Sequence, residues 1–589
     1  MVRPPFPGGG RTAAGPESAP ATQPAATQPA TPQKAPVKAP GPPLEEPQPQ
    51  QPLPPIGYAG GSPFGSAVPS GDFLPVPDRW RIGIPGDYTD ATRGSPVDPY
   101  RQNVLKGDYP ILDQNKFLIV TVTSDTLVEA RKTPTPSGVS TLRPGSFDFF
   151  GHGDSQLLVE NLILSAEFFQ GDAGYRPRDW SFKFTGVEQV NYVHTTELGL
   201  VNPDVRKERD RADNWFGIQE LFGEYRFADL SSNFDFASVR AGIQGFTSDF
   251  RGFLFSDDEP GVRLFGNYDN NRIQYNVVWF SMLEKDTNSG LNNLDSRNQN
   301  VFIANLYRQD FIFQGYTAQL SFHANIDRGG GIQYDKNGFL VRPAPVGTIA
   351  RKDVDAIYLG WAGDGHIGRF NITHQFYEAL GRESFNPIAG RGVDINAQFA
   401  AIELSYDIDY VRLRTAFLYA SGDGKPESGK ATGFDTIFDN PNFAGGGFSY
   451  FDREAIRLTG SGVNLVNRFS LVPDLRTSKE QGQANFVNPG LFLYNVGMDV
   501  EVSPKVTVIT NVSFLRFATT APLELILQDH RFRPDIGLDC NIGIRYRPLL
   551  NNNVIVTGGI AALFPGTGFR DIYTSSTLYS AFVGVTLTY

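Results

Sequence analysis

The chain is poor in several things that would each have pointed elsewhere. It has one cysteine, Cys540, which excludes a disulfide framework and a thiolate metal site. No run approaches the roughly 18 consecutive apolar residues of a membrane-spanning helix. Basic residues are outnumbered, and a formal net charge of -11 argues against a nucleic-acid binder. The 6 histidines show no zinc-ligand spacing. There is no G-x-S-x-G elbow and no phosphate-binding P-loop, and the Gly8–Gly10 and Gly445–Gly447 runs lack the strand–turn–helix setting of a phosphate cradle. Catalytic residues, metals and cofactors are therefore all expected to be absent. What remains is a chain rich in Gly, Tyr and Phe but with only 3 Met and 5 Trp, a mixture suited to strands and turns.

Two materials are joined in it. Residues 1–95 are low in large apolar side chains and rich in Pro, Ala and Gln at their start, so they cannot bury enough surface to offset ordering and are expected to form a low-complexity tail. Met1-Val-Arg-Pro-Pro offers no apolar core of a secretory signal, so an exported barrel requires that the true start lies upstream or that the signal has been removed; otherwise the barrel reading is wrong. A lead-in, 96–115, then runs into strand-like sequence that continues from 116 to 589.

That last part has a dominant period of two. At the C-terminus Tyr579, Ala581, Val583, Val585, Leu587 and Tyr589 alternate with mostly small or polar residues, giving one apolar row on one strand face. About ten residues is also what a tilted strand needs to cross a bilayer. Equally clean rows run through Tyr316–Ile326, Phe492–Val502 and Ile536–Tyr546, the last carrying Leu538, Cys540 and Ile542. Weaker runs begin near Phe117, Leu157, Trp180, Ile218, Phe236, Val262, Ile273, Val301, Ala356, Ile367, Ile395, Tyr410, Val506 and Val554. Together they predict an all-β, single-chain transmembrane antiparallel barrel of about 18 strands, an even number as single-chain bacterial barrels have.

Connection lengths give a second test. Compact turns are expected at 170–178, 229–235, 269–271, 309–315, 363–366, 407–409, 503–505 and 548–553, most of them rich in Asn, Asp, Gly, Ser or Pro. Longer connections, including 195–216, 327–355, 421–489 and 565–577, fall between them in strict alternation. Short turns on one side and long loops on the other are the habit of outer-membrane barrels, and the order puts both termini on the periplasmic side.

The terminal strand, this loop order and the 98–110 stretch resemble the porin-type outer-membrane β-barrels of Gram-negative-type bacteria, over about the last four-fifths of the chain. The resemblance is architectural. It implies a passive channel for small hydrophilic solutes in a bacterial outer membrane, with lipid and solute as partners, no nucleic acid and no enzymatic activity. A homo-oligomer and a contact of the tail with the cell wall stay open. So do a polysaccharide or polymer export barrel, which needs a continuous basic lumen, and a closed structural or adhesive barrel without transport.

Charges opposite the apolar rows are the candidate pore lining: Lys183, Arg240, Arg263, Arg369, Arg412, Arg414, Arg545 and Arg547, with Glu167, Glu403, Asp499, Glu501 and Asp539. Glu220 and Glu224 belong with them less cleanly, because Ile218 and Phe222 share their row. Their signs alternate around the ring, so a cross-strand ladder of ion pairs is favoured over a selectivity stripe. Finally, 421–489 is far longer than a passive linker, and 434–443 and 448–451 are dense in aromatics that a solvated flap would not keep. This segment is expected to fold across or into the mouth, with Asp435, Asp439 and Asp452 opposing basic wall residues. Packing over the outer rim alone is the competing expectation.

Overall fold

A computed structural model describes residues 103–589 except 114, 135–139, 143–144, 146–150, 172–176, 455–470, 474 and 574–576. The expected tail and the start of the lead-in lie outside the described residues.

The alternating runs form strands β1 (Lys116–Lys132), β2 (Asp154–Gln170), β3 (Trp180–Thr195), β4 (Asp210–Asp229), β5 (Phe236–Thr247), β6 (Ser256–Tyr268), β7 (Ile273–Lys285), β8 (Asn292–Arg308) and β9 (Tyr316–Asp327). They continue as β10 (Val354–Ile367), β11 (Phe370–Asn386), β12 (Arg391–Ile408), β13 (Val411–Ala420), β14 (Leu491–Ser503), β15 (Val506–Arg516), β16 (Asp535–Tyr546), β17 (Val554–Pro565) and β18 (Leu578–Thr588). Each pairs antiparallel with the next, and β18 returns to β1 through Thr123↔Thr588 to Lys132↔Tyr579, so 18 strands close one barrel. Closure leaves no sheet edge, the condition for a sheet to sit in lipid. The C-terminal ring is held at the seam, where the Asn103 amide donates to the Tyr589 hydroxyl at 3.0 Å and the Lys106 ammonium sits 4.1 Å over the ring.

Outside, the apolar rows are exposed. Along β16, Leu538, Ile542, Ile544 and Tyr546 face outward while Asp539, Asn541 and Gly543 are buried within. Trp180, Tyr225, Phe227, Tyr268, Tyr410 and Tyr546 sit near the end with the short turns, where an aromatic girdle meets a membrane interface. Cys540 is a free thiol on this outward row. In native membranes it should resist a water-soluble maleimide and react after denaturation; rapid labelling of the folded barrel would put it elsewhere than in lipid.

Three expectations need correction. The hairpin expected at 363–366 is strand, and the chain turns at 368–369, where Gly368 takes φ +60°. Gly363 and Gly365 serve close packing instead: a side chain at Gly363 would strike the Tyr316 hydroxyl and the His374 ring. The alternation of loop lengths is not strict, since 286–291 and 387–390 on the long-loop side are shorter than 171–179 on the other. β4, β6 and β8 also begin six to nine residues before their apolar runs. Their first residues, such as Asp210-Arg-Ala-Asp-Asn214, rise past the apolar belt, so no outward hydrophobic row marks them.

The wall itself folds inward at one place. The β5–β6 hairpin stays paired up to Thr247↔Ser256, but β4 pairs with β5 only below Leu221↔Ile243 and β7 with β6 only below Phe280↔Gly261. Pro260 has no N–H for a ladder, which ends the pairing there. Ser256–Glu259 are consequently buried, and the Lys285 ammonium sits between Asp257 (2.7 Å) and Glu259 (2.9 Å), offsetting part of their charge. β4 and β8 close over the gap, with the Trp215 indole N–H donating to the Asn292 carbonyl at 3.2 Å.

At the long-loop end, Glu197 ties two connections together. Its carboxylate accepts from Ser140 Oγ (2.7 Å), the Thr141 amide (2.7 Å) and the His152 amide (2.9 Å). Burial alone would raise its pKa, but hydrogen bonds from Thr141, His152 and Ser140 outweigh that and hold it at about 2, below its ordinary 4.5. A depressed carboxylate stabilises docking above its unfolded pKa and loses that contribution as pH falls towards its folded one. The Thr141 amide, which donates to this carboxylate, should therefore stay protected from hydrogen exchange at pH 5 and become exposed by pH 2. Glu197→Gln should expose it already at pH 7, and an unchanged signal over this range would refute the tether.

Candidate functional site

The lumen has two halves. Towards the short-turn end, inward residues such as Thr121, Ile163, Glu167, Lys183, Glu220, Arg414 and Arg545 keep partial exposure and line an open vestibule. Above the level of Gly543 and Gly559 the inward side chains are buried, because two connections occupy the interior.

The first is 248–255, wound around Asp249, whose Oδ1 accepts the Gly252 amide at 2.6 Å and whose Oδ2 accepts the Tyr377 hydroxyl at 3.0 Å. The second is 421–490. Phe434 packs on Phe399 (ring centroids 5.1 Å), Phe443 on Phe253 (5.1 Å) and Phe448 on Phe582 (5.9 Å). All three are buried against inward wall residues or the other inner connection, so the aromatics that a solvated flap could not keep lie inside the barrel. Gly543 and Gly559 make this possible: a Cβ on Gly543 would fall 2.0 Å from the Phe448 ring, and one on Gly559 3.1 Å from it. Further along, the Arg297 guanidinium donates to the Gly482 carbonyl at 2.6 Å and the Lys352 ammonium to the Ala484 carbonyl at 2.6 Å. These bonds fasten the returning part of the connection to the wall.

Most of the charges singled out in the sequence are on the inner wall and paired. Lys183 meets Glu220 at 2.8 Å and the Arg240 Nε donates to Glu224 at 2.9 Å. A bulge between Thr185 and Gly186 puts Glu220, Phe222 and Glu224 on one inward row, with Arg240 stacked over Phe222 at 4.2 Å. Glu167 pairs with Arg178. Glu403 accepts from Arg251 at 2.8 Å, and Arg414 reaches Asp499 at 2.6 Å. Arg412 pairs with Asp407. Arg263 is buried, donates to Asn276 at 2.8 Å and stacks on Phe265 at 4.3 Å.

Others stand apart. Arg369 lies in the 368–369 turn rather than on a strand face, exposed, and 3.8 Å from Asp409. Glu501 is exposed at the rim, its amide donating to the Tyr410 carbonyl at 2.8 Å. Arg545 lies beside Arg547 and feels the opposing charge of Asp499, and Arg547 is already in the turn that follows β16. The three carboxylates of the long connection differ. Asp435 pairs with Arg476 and Lys479 of its own connection, each at 2.8 Å, and Asp439 lies 3.3 Å from Lys479. Asp452 is buried facing Asp439 and the wall residue Asp539, while Asp539 accepts from Ser449 Oγ at 2.6 Å and the Phe451 amide at 2.9 Å.

Sequence reasoning missed the strongest link between wall and connection. The short helix α1 (Tyr450–Glu454) carries Arg453, which pairs with Glu129 at 2.7 Å, and Glu454, which pairs with Arg131 at 2.7 Å. Glu129 and Arg131 sit on the inward row of β1 with Leu127, opposite Val128 and Ala130, and that alternation was the available signal. Among the described residues no group of His, Cys, Asp and Glu is arranged to hold a metal ion.

No family model and no curated protein matches the sequence. Among solved structures, the chain is similar to Pseudomonas aeruginosa OccK9 (OpdG) at 10% identity and a TM-score of 0.43, covering 80% of this chain and 98% of that one. A BenF-like porin from Pseudomonas fluorescens Pf-5 aligns at 9% identity and a TM-score of 0.44, covering 82% and 99%. Acinetobacter baumannii OccAB4 aligns at 9% identity and a TM-score of 0.40, covering 80% and 98%. The barrel is established by this chain's own strand order and register, independently of these likenesses.

Proposed function

We propose that the chain is a porin-like channel of a bacterial outer membrane, passing small hydrophilic solutes by passive diffusion, with both termini on the periplasmic side. The observation that supports this best is the inner wall. A barrel serving only as a scaffold gains by filling its interior with hydrocarbon. Here the vestibule is lined by charged side chains that are neutralised in pairs and left partly in water. Partly exposed pairs of this kind keep much of their hydration in an aqueous lumen and would lose it in a dry one.

The paired signs weigh against a polymer exporter, because carboxylates interrupt any continuous basic track. A closed barrel is the second reading, favoured by the burial of Phe434–Glu454 inside the lumen. Liposome swelling separates the two. Vesicles carrying the full chain should swell in isosmotic solutions of small sugars at rates that fall with solute size. Vesicles that do not swell in any of them, despite folded barrel, would leave the closed reading standing.

A further inference from the structure

Resting on the channel reading, we infer that residues 446–454 form a releasable plug, latched to β1 by two buried ion pairs and opposed by a cluster of buried carboxyl groups. The segment enters the lumen through Gly446–Phe448, turns, and presents α1 to the β16–β17–β18–β1 wall. Its attachment there is ionic. Glu129 holds Arg453, whose guanidinium also donates to the Gly447 carbonyl at 3.0 Å and lies 3.7 Å over the Phe582 ring. Arg131 holds Glu454 at 2.7 Å and donates to Ser155 Oγ at 3.3 Å. All four charged side chains are almost completely buried.

Such pairs are poor devices for mere stability, since well-packed apolar side chains of similar volume often do as well or better. They are good at specifying one seat: displacement by a single strand position breaks both. The same helix carries an opposing force. Asp452, next to Arg453 in sequence, has no hydrogen-bond partner on either oxygen among the described residues and faces Asp439 and Asp539. Three carboxyl groups around one buried turn oppose one another's ionisation, and moving the plug into the vestibule would let Asp452 ionise in water. Latch and carboxyl cluster acting on one short segment make two positions close enough in energy to exchange. The seated position is the one described here, with the upper lumen filled.

The test is single-channel recording of the full chain in planar bilayers. Glu129→Gln, which keeps shape and removes one latch charge, should raise open probability about tenfold over the unaltered chain. Glu129→Arg combined with Arg453→Glu should restore the original behaviour. Asp452→Asn should do the opposite of Glu129→Gln and lengthen closures. Folding of each variant is checked by heat-modifiable migration on gels; if Glu129→Gln does not fold, Arg131→Gln serves the same purpose from the second pair. If the unaltered chain conducts and neither single-latch variant changes open probability, the latch is refuted while the channel stands. If no folded variant conducts, the channel reading and the latch fall together.

Discussion

Deleting residues 433–457 should raise single-channel conductance several-fold while leaving the barrel able to assemble. The removed stretch supplies Phe434, Phe438, Phe443, Phe448 and Phe451, all buried, together with α1, so its loss empties much of the upper lumen. The barrel does not depend on it for closure, because every wall strand pairs with its neighbours through backbone ladders that lie outside the deletion. What is lost is packing on the inner faces of Phe399, Phe253 and Phe582, so melting temperature should fall even as conductance rises. An unchanged conductance in a correctly folded deletion would mean that the connection does not narrow the path at all.

The second large effect is on the outside. Ile542 lies midway along the outward row of β16 and is 51% exposed to what would be lipid. Replacing it with Arg places a charge near the midplane of the apolar belt and should cost roughly 2–4 kcal/mol. The same change at Tyr546, at the girdle, should cost only about 0–1 kcal/mol. Equilibrium unfolding from lipid vesicles in denaturant measures both. Equal costs at the two positions would show that this face is not bounded by a bilayer.

The legible parts of the sequence were those that lipid constrains. An outward row must be apolar over the whole belt, so all 18 strands could be placed from period alone, and β16 to within a residue. Once a strand leaves the belt that constraint ends, which is why the first residues of β4, β6 and β8 were read as loop. The inward bend of β5–β6 was illegible for a related reason: Ser256-Asp-Asp-Glu259 looks like a solvated loop, and the charge that helps make its burial tolerable, Lys285, comes 26 residues further on from Glu259. Gly363 and Gly365 looked like turn residues, yet Gly363 admits the Tyr316 and His374 side chains and Gly365 admits the close approach of the Gly315–Tyr316 backbone.

The interior divided in the same way. Aromatic density in 434–451 forecast that the long connection packs against something, and strand phase set most of the charges opposite the apolar rows, although Arg369 and Arg547 lie in turns. Partner choice was beyond reach. Arg453 and Glu129 are 324 residues apart and meet only because β18 closes on β1. Asp435 was expected to oppose the wall; instead Arg476 and Lys479 return along the same connection and neutralise it. Pairings of this kind follow from how a loop doubles back, for which sequence carries no periodic signal.

The most direct measurement is the conductance of the purified full-length chain in a planar bilayer, with the barrel's fold verified beforehand. Discrete current steps that scale with salt concentration are the expected result. A folded, inserted barrel that leaves the bilayer insulating at every salt concentration and voltage would contradict the assignment of a channel.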